Sequence, residues 1–142
     1  MIQGRCMCGA VAFAATPTSM VFHACHCDMC RRWSGSAMLA VAVPADGMRL
    51  EGAEHIRTIR SSDWAERAWC DRCGSNLYYR VTVEGPMQGQ YHVPLGLFDE
   101  PEAFEFASEI YFDRKPSSFA YAGSRPTRTQ AEVEAAFAEG GA

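Results

Sequence analysis

Short apolar segments, rich in β-branched and aromatic residues, recur along the chain between Gly, Pro, Asp and Ser residues. This pattern is typical of strands separated by turns. It predicts strands at 10–15, 20–24, 37–43, 48–51, 54–59, 76–83, 90–95 and 108–112, while 65–69 leads into a pair of cysteines at 70–73. Short helical turns are predicted at 28–33 and 101–104. The expected fold class is therefore mainly β, built of short and mostly antiparallel strands.

The end of the chain has a helical pattern instead. Thr129 precedes Glu132 by three residues, which is the spacing of a capping box. An apolar stripe at i, i+3 and i+4 follows, formed by Val133, Ala136 and Phe137. The glycines at 140–141 supply a stop, so we predict a C-terminal helix at about 129–139. We expect the stripe to pack on the body of the protein, with partner binding as the alternative.

Length and charge narrow the class of protein. The 142 residues predict a single domain over 1–142, with a β body at 1–122 and a tail at 123–142. The formal net charge of −4 argues against a general nucleic-acid-binding surface. No apolar run has the length of a membrane span, and the first residues lack a charged-then-apolar signal pattern. We therefore expect a cytoplasmic protein without nucleic-acid or membrane partners, and the sequence does not indicate its oligomeric state.

Cysteine usage is the unusual feature of the composition. There are seven cysteines, so they cannot all pair within the chain, and a reducing compartment disfavours disulfides. Buried thiols that only fill a core would be scattered along the sequence. These cysteines instead form three tight clusters, at 6–8, 25–30 and 70–73. Such clustering favours metal ligation.

Two of the clusters have the spacing of a structural metal site. Cys70-x-x-Cys73 followed by Gly74 is the pattern of a zinc knuckle, and Cys6-x-Cys8 is a tighter version of it. Thiolates on such turns converge on one ion, and two half-sites distant in sequence can close one tetrahedral site. We predict a structural zinc held by Cys6, Cys8, Cys70 and Cys73.

The remaining cysteines, Cys25, Cys27 and Cys30, form a set of three. Three protein ligands and one open position are typical of a catalytic zinc, and an open thiolate site suits an incoming thiol. The metal would hold that thiol as a nucleophile for a carbonyl group. One alternative is a closed site with His23 as the fourth ligand, since His26 should point away from the shared metal. The other is a metal-free triple that performs thiol redox chemistry.

Several segments of this sequence resemble the glutathione-dependent formaldehyde-activating (GFA) family. The opening 4–9 is similar to its G-x-C-x-C-G segment, 25–31 to C-H-C-x-x-C-R, and 69–77 to F-C-x-x-C-G-S-x-L. Residues 95–99 resemble a strand end of the family, and Lys115-Pro116 a late Lys-Pro feature. The resemblance covers about 4–119 with all seven cysteines in register.

The resemblance implies a zinc-bound β-tent fold with a structural zinc on the four-cysteine set and a catalytic zinc on Cys25, Cys27 and Cys30. It implies a carbon–sulfur lyase whose reaction, in the reverse direction, joins glutathione to formaldehyde. The partners would be a small-molecule thiol and an aldehyde, and the second zinc would be the labile one. Candidates for binding an anionic substrate or flooring a pocket are Arg31, Arg32, Arg72 and Trp33. The alternatives are a non-catalytic zinc-stabilised binding module and a thiol redox or metal sensor.

Overall fold

The computed structural model describes residues 1–138, which contain eleven strands and two α-helices. The strands are β1 (Ile2–Arg5), β2 (Ala12–Ala15), β3 (Val21–Cys25), β4 (Met38–Val43), β5 (Met48–Glu51), β6 (Ile56–Arg60), β7 (Ala65–Cys70), β8 (Asn76–Val81), β9 (Tyr91–Pro94), β10 (Glu105–Ile110) and β11 (Thr127–Arg128). The helices are α1 (Asp28–Ser34) and α2 (Gln130–Ala138). The chain divides into two compact units, one formed by 1–20 with 41–104 and the other by 21–40 with 105 onwards.

The first unit contains a three-stranded antiparallel sheet in the order β1-β2-β5. Along β2 the residues alternate in burial, with Phe13 and Ala15 buried, because successive side chains of a strand point to opposite faces. The Phe13 ring meets the Phe98 ring edge-on at 5.2 Å between centroids. The apolar pattern did not predict strand β1, because two of its four residues, Gln3 and Arg5, are polar.

The same unit contains four further antiparallel strands in the order β9-β8-β7-β6. Strand β7 is buried at four of its six positions, as a strand with a neighbour on each side should be. Strand β6 ends this order and is largely exposed, with Arg57 and Arg60 along it. Charged side chains on such a strand discourage pairing with another chain.

The second unit is built on β3 and β10, which pair in parallel, and β10 also pairs in parallel with β11. Strand β3 pairs antiparallel with the start of β4, which is a largely buried apolar run. Helix α1 follows β3 after two residues. The fold is therefore mainly β, as predicted, with mostly antiparallel pairs and two parallel ones.

Helix α2 has the predicted capping box. The Glu132 amide donates to Thr129 Oγ1 at 3.2 Å, and the Thr129 amide donates to Glu132 Oε1 at 3.1 Å. Val133 is buried, as expected of the apolar stripe, whereas Phe137 is 51% exposed. The prediction that the stripe packs on the body is thus right for Val133 and wrong for Phe137. Position 139 of the predicted helix and the glycines at 140–141 lie outside the described residues.

Each predicted strand overlaps an observed one, and the largest difference is at β10. Its predicted range of 108–112 ends beyond the observed strand Glu105–Ile110. The predicted turn at 28–33 is the two-turn helix α1, and that at 101–104 is the 3₁₀ turn Pro101–Ala103. Neither helix in the described part of the chain has the length and apolar character needed to cross a membrane.

Candidate metal centre

Two tight turns of the first unit bring four thiols together. One turn joins β1 to β2, where the Gly9 amide donates to the Cys6 carbonyl at 3.1 Å. The other joins β7 to β8, where the Gly74 amide donates to the Cys70 carbonyl at 2.8 Å. Gly9 and Gly74 have φ of 80° and 79°, which is left-handed backbone that glycine adopts without strain. The turns therefore depend on these glycines.

The four thiols of this cluster have the spacing of a tetrahedral site. The sulfur atoms of Cys6, Cys8, Cys70 and Cys73 all lie within 4.8 Å of one another. Cys6 Sγ lies 3.7 Å from Cys8 Sγ, which in turn lies 3.9 Å from Cys70 Sγ. Zinc–sulfur bonds of about 2.3 Å in a tetrahedron separate the sulfurs by about 3.8 Å. The cluster therefore fits one four-coordinate ion.

Hydrogen bonds around the cluster favour the charged form of Cys6 and Cys73. For Cys8, the Ala10 amide lowers the pKa, but burial and hydrogen bonds with the other three thiols outweigh it and raise the pKa to about 11. A hydrogen bond with the Ser75 hydroxyl, 3.2 Å from Cys73 Sγ, lowers the pKa of Cys73 to about 5. Ser75 also accepts a 3.0 Å hydrogen bond from the Met7 amide, which links the two turns. The Val11 amide donates to Cys6 Sγ at 3.4 Å. Amide donors directed at sulfur are suited to thiolate ligands of a metal.

The second cluster lies where β3 ends and α1 begins. Cys25 is the last residue of β3, Cys27 caps the N-terminus of α1, and Cys30 is buried in its first turn. The Cys30 amide donates to Cys27 Sγ at 3.3 Å, as an N-cap acceptor requires. The three sulfurs lie within 4.8 Å of one another. The C-x-C-x-x-C spacing thus places three thiols on one side of a strand-to-helix turn.

Without a cation, these three thiols oppose one another's ionisation. Hydrogen bonds with Cys27 and Cys30, followed by burial, raise the pKa of Cys25 well above its ordinary value. A bound divalent cation offsets the repulsion between neighbouring thiolates. None of the seven cysteines, all of which are described, forms a disulfide. Both clusters could therefore hold a metal ion, and soft sulfur donors suit zinc.

Neither histidine near the triple joins it. His23 Nδ1 lies 2.6 Å from Ser108 Oγ, and burial lowers the pKa of this imidazole. His26 Nε2 lies 2.8 Å from Glu109 Oε1. Within residues 1–138, the cluster contains three cysteines and no histidine or carboxylate. The described ligand set therefore has three members, as an open site requires.

Sequence analysis missed the buried polar network behind this turn. The Glu109 carboxylate also accepts a hydrogen bond from Arg125 Nη1 at 2.8 Å. All three side chains are buried: His26 is 2% exposed, Glu109 5% and Arg125 9%. Burial alone would raise the pKa of Glu109, but the hydrogen bonds from His26 and Arg125 outweigh it and lower that pKa. A Glu in an amphipathic strand sequence gives no local sign of such burial.

A cavity of about 110 Å³ lies beside the second cluster. Its lining residues are His26, Arg31, Gly35, Ser36, Ala37, Pro116 and Phe119. Of the predicted substrate-binding candidates, only Arg31 is among them. Arg32 is exposed and Arg72 belongs to the other unit, while Trp33 is half-buried and absent from the lining.

Comparison with known proteins identifies the family. The family described as glutathione-dependent formaldehyde-activating enzyme matches residues 1–114. An uncharacterized lyase of Schizosaccharomyces pombe is 30% identical over 131 residues, which are 92% of this chain and 93% of that protein. A putative glutathione-dependent formaldehyde-activating enzyme of Halomonas elongata is 33% identical over 86 residues, and the match covers 55% of each protein.

A solved structure supports the fold. The crystal structure of a Rhodobacter sphaeroides protein matches with a TM-score of 0.58 at 21% identity, and the match covers 69% of this chain and 88% of that one. The family match extends over all seven cysteines. The resemblance inferred from the cysteine motifs is thereby confirmed, and the chain belongs to the glutathione-dependent formaldehyde-activating enzyme family.

Proposed function

We propose that this protein is a zinc-dependent carbon–sulfur lyase that, in the reverse direction, adds a thiol such as glutathione to a small aldehyde such as formaldehyde. The family and the names of its relatives support a lyase of this general kind. The single observation that carries the proposal is the cluster of three cysteine sulfurs, to which residues 1–138 add no fourth protein ligand. A three-ligand metal site leaves one position for a substrate.

The two clusters take different roles in this proposal. Cys6, Cys8, Cys70 and Cys73 hold a structural zinc, because a complete set of four thiolates leaves no position for a substrate. Cys25, Cys27 and Cys30 hold the catalytic zinc and are the residues on which the activity depends. Since Cys25 and Cys27 are only partly buried, this cluster is accessible to a small thiol.

Cys25, Cys27 and Cys30 would hold the zinc, whose positive charge would lower the pKa of an incoming thiol. The thiol sulfur then adds to the aldehyde carbon. A carbon–sulfur bond forms as the carbonyl π bond breaks, and the thiol proton ends on the carbonyl oxygen. With glutathione and formaldehyde the product is S-hydroxymethylglutathione, and lysis is the same step in reverse.

The surroundings of the triple position the reacting groups. The Cys30 amide fixes Cys27 Sγ, and the His26 amide donates to the Ile110 carbonyl at 3.1 Å, which holds the turn against β10. Arg31 directly follows Cys30 and lines the adjoining cavity, where its charge attracts an anionic thiol such as glutathione. We place the reaction in the cytoplasm, where glutathione is kept reduced.

The proposal is tested by the rate at which glutathione, formaldehyde and their adduct interconvert, measured by exchange NMR spectroscopy. We expect the zinc-loaded protein to exceed the uncatalysed rate and Cys27→Ser to return it to that rate. Met29→Ser is the matched control, because Met29 is exposed on the same helix and offers no cluster ligand. A folded Cys27→Ser protein as fast as wild type would overturn the enzyme proposal in favour of a binding module.

A further inference from the structure

His26 lies between two cysteines of the second cluster and is attached to strand β10 at two points. Its amide donates to the Ile110 carbonyl at 3.1 Å, and its ring nitrogen Nε2 lies 2.8 Å from Glu109 Oε1. Because His26 is covalently joined to both Cys25 and Cys27, fixing its backbone and its ring limits how these two residues move relative to each other. The spacing of the thiols therefore depends on where β10 holds Glu109.

Glu109 is held in turn by the segment of chain that precedes and forms β11. Arg125 Nη1 donates to Glu109 Oε2 at 2.8 Å, and the Glu109 amide donates to the Pro126 carbonyl at 3.1 Å. Strand β11 continues this contact, since Thr127 pairs with Glu109 in parallel. Arg125 lies beyond residues 1–114, the part of the chain that matches the family. A residue outside the family match thus reaches the carboxylate that fixes the turn.

The Arg125 guanidinium is itself held firmly. Its carbon Cζ lies 4.0 Å from the centroid of the Phe106 ring, and Nη2 donates to the Ala122 carbonyl. The Arg125 side chain is only 9% exposed, so solvent screens its pairing with Glu109 much less than it screens a surface ion pair. A planar guanidinium presents several donors in a rigid fork, which an ammonium group cannot do. Arg125 therefore has little freedom to leave the carboxylate.

Order in the turn bears directly on metal binding. A site binds more tightly when its ligands are already in place, because less conformational freedom is lost on binding. The three sulfurs of the triple lie within 4.8 Å of one another. We propose, as an extension of the proposed function that rests on a metal at the triple, that Arg125 is a positioning residue for this metal site. Acting through Glu109 and His26, it keeps the turn between β3 and α1 ready to bind the ion.

The test compares cadmium binding by wild type and by Arg125→Met, which has a long side chain without donors. Cadmium NMR spectroscopy reports the two clusters separately, because the resonance of the ion depends on how many sulfurs bind it. Loss of a group behind a ligand shell lowers metal affinity by about 10–100-fold, so we expect the triple to lose about tenfold or more. Its resonance should also shift at saturation. The four-cysteine cluster, which belongs to the other unit, is the internal reference.

Two further variants make the comparison specific. Arg128→Met is the matched control, since Arg128 lies on the adjoining strand β11 but is exposed. We expect it to bind cadmium at both clusters as wild type does. Arg125→Lys keeps the charge without the planar fork and should recover part of the affinity that Arg125→Met loses. If Arg125→Met does not fold, Arg125→Lys replaces it as the test variant, with a smaller expected loss.

The resonance of the saturated triple separates positioning from a merely structural role. Lower stability to urea with an unchanged resonance would overturn the inference and leave the proposed function standing. Wild-type cadmium affinity at the triple in both Arg125 variants would do the same. A wild-type triple that binds no metal would overturn the proposed function, and this inference with it.

Discussion

His26 Nε2 lies 2.8 Å from Glu109 Oε1, although the two residues are 83 positions apart in sequence. The parallel pairing of β3 with β10 creates this contact, because it aligns Ala24 with Glu109 and Cys25 with Ile110. Arg125 completes the network from the other carboxylate oxygen. The C-x-C turn of the second cluster is therefore held from behind by three buried side chains.

Removing the carboxylate of this network should destabilise the second unit. Glu109→Ala leaves Arg125 and His26 without it, and breaking a buried charge pair costs about 3–5 kcal/mol. Glu109→Gln keeps a hydrogen-bonding group of the same shape and should lose less. Urea unfolding of the zinc-loaded proteins measures the free energy of unfolding of both variants. Equal stability of Glu109→Ala and wild type would show that the network does not support the turn.

The two clusters should respond differently to the loss of one cysteine. Because a metal at the four-cysteine cluster joins turns that are 62 positions apart in sequence, Cys73→Ser should give insoluble or molten protein. Cys27→Ser should remain folded, because the triple spans only six residues. Solubility and near-UV circular dichroism distinguish the two. Equal solubility and equal melting temperatures of both variants would contradict the division into a structural and a catalytic cluster.

Gly4 in β1 is a point where the strand tolerates no side chain. A Cβ atom there would lie 2.5 Å from the Leu97 carbonyl oxygen and would also overlap the Phe13 ring. We expect Gly4→Ala to destabilise the protein by about 1–3 kcal/mol, the usual cost of overpacking. Gly96→Ala is the control, since a Cβ atom at Gly96 meets nothing within 4 Å. Equal decreases in the melting temperatures of both variants would refute the steric explanation.

The N-terminus of α2 should be sensitive to acid. Hydrogen bonds with the Thr129 backbone and hydroxyl lower the pKa of Glu132 below its ordinary value of 4.5. A carboxylate with a lowered folded-state pKa stabilises the fold above its unfolded pKa, and this contribution disappears as the pH falls through the folded pKa. Protection of the Glu132 amide from hydrogen exchange should thus fall below pH 4.5 in wild type.

Glu132→Gln provides the comparison for this acid effect, because the amide keeps an acceptor but does not titrate. In this variant, the hydrogen-exchange protection of amides in the first turn of α2 should no longer fall as the residue-132 side chain is protonated. Any metal loss in acid would affect both proteins alike. The same pH profile in both proteins would show that the capping carboxylate is not responsible.

Local features of the sequence were sufficient for much of the fold and for the grouping of the cysteines. Strand β5 has its predicted bounds, because its residues lie between two clear turn signals. The knuckle at 70–73 and the capping box at Thr129 are likewise defined by residues a few positions apart. The structure brings together the same groups of four and three thiols that the spacings predict.

Features that depend on long-range pairing could not be predicted in this way. Strand β1 is short and largely polar, and its place follows from its register with β2. The range predicted for β10 was displaced because parallel pairing with β3, and not its own apolar pattern, decides where it lies. Glu109 and Arg125 look like surface residues in the sequence, and only the fold buries them against His26.

The most direct test of the account is the absorption spectrum of the cobalt(II)-substituted protein before and after glutathione is added. If the triple binds a metal with a position open to a thiol, sulfur-to-cobalt charge-transfer absorption should increase in wild type. It should not change in Cys27→Ser, which keeps the closed four-cysteine cluster. A wild-type spectrum that glutathione leaves unchanged would contradict the claim that a thiol substrate binds at Cys25, Cys27 and Cys30.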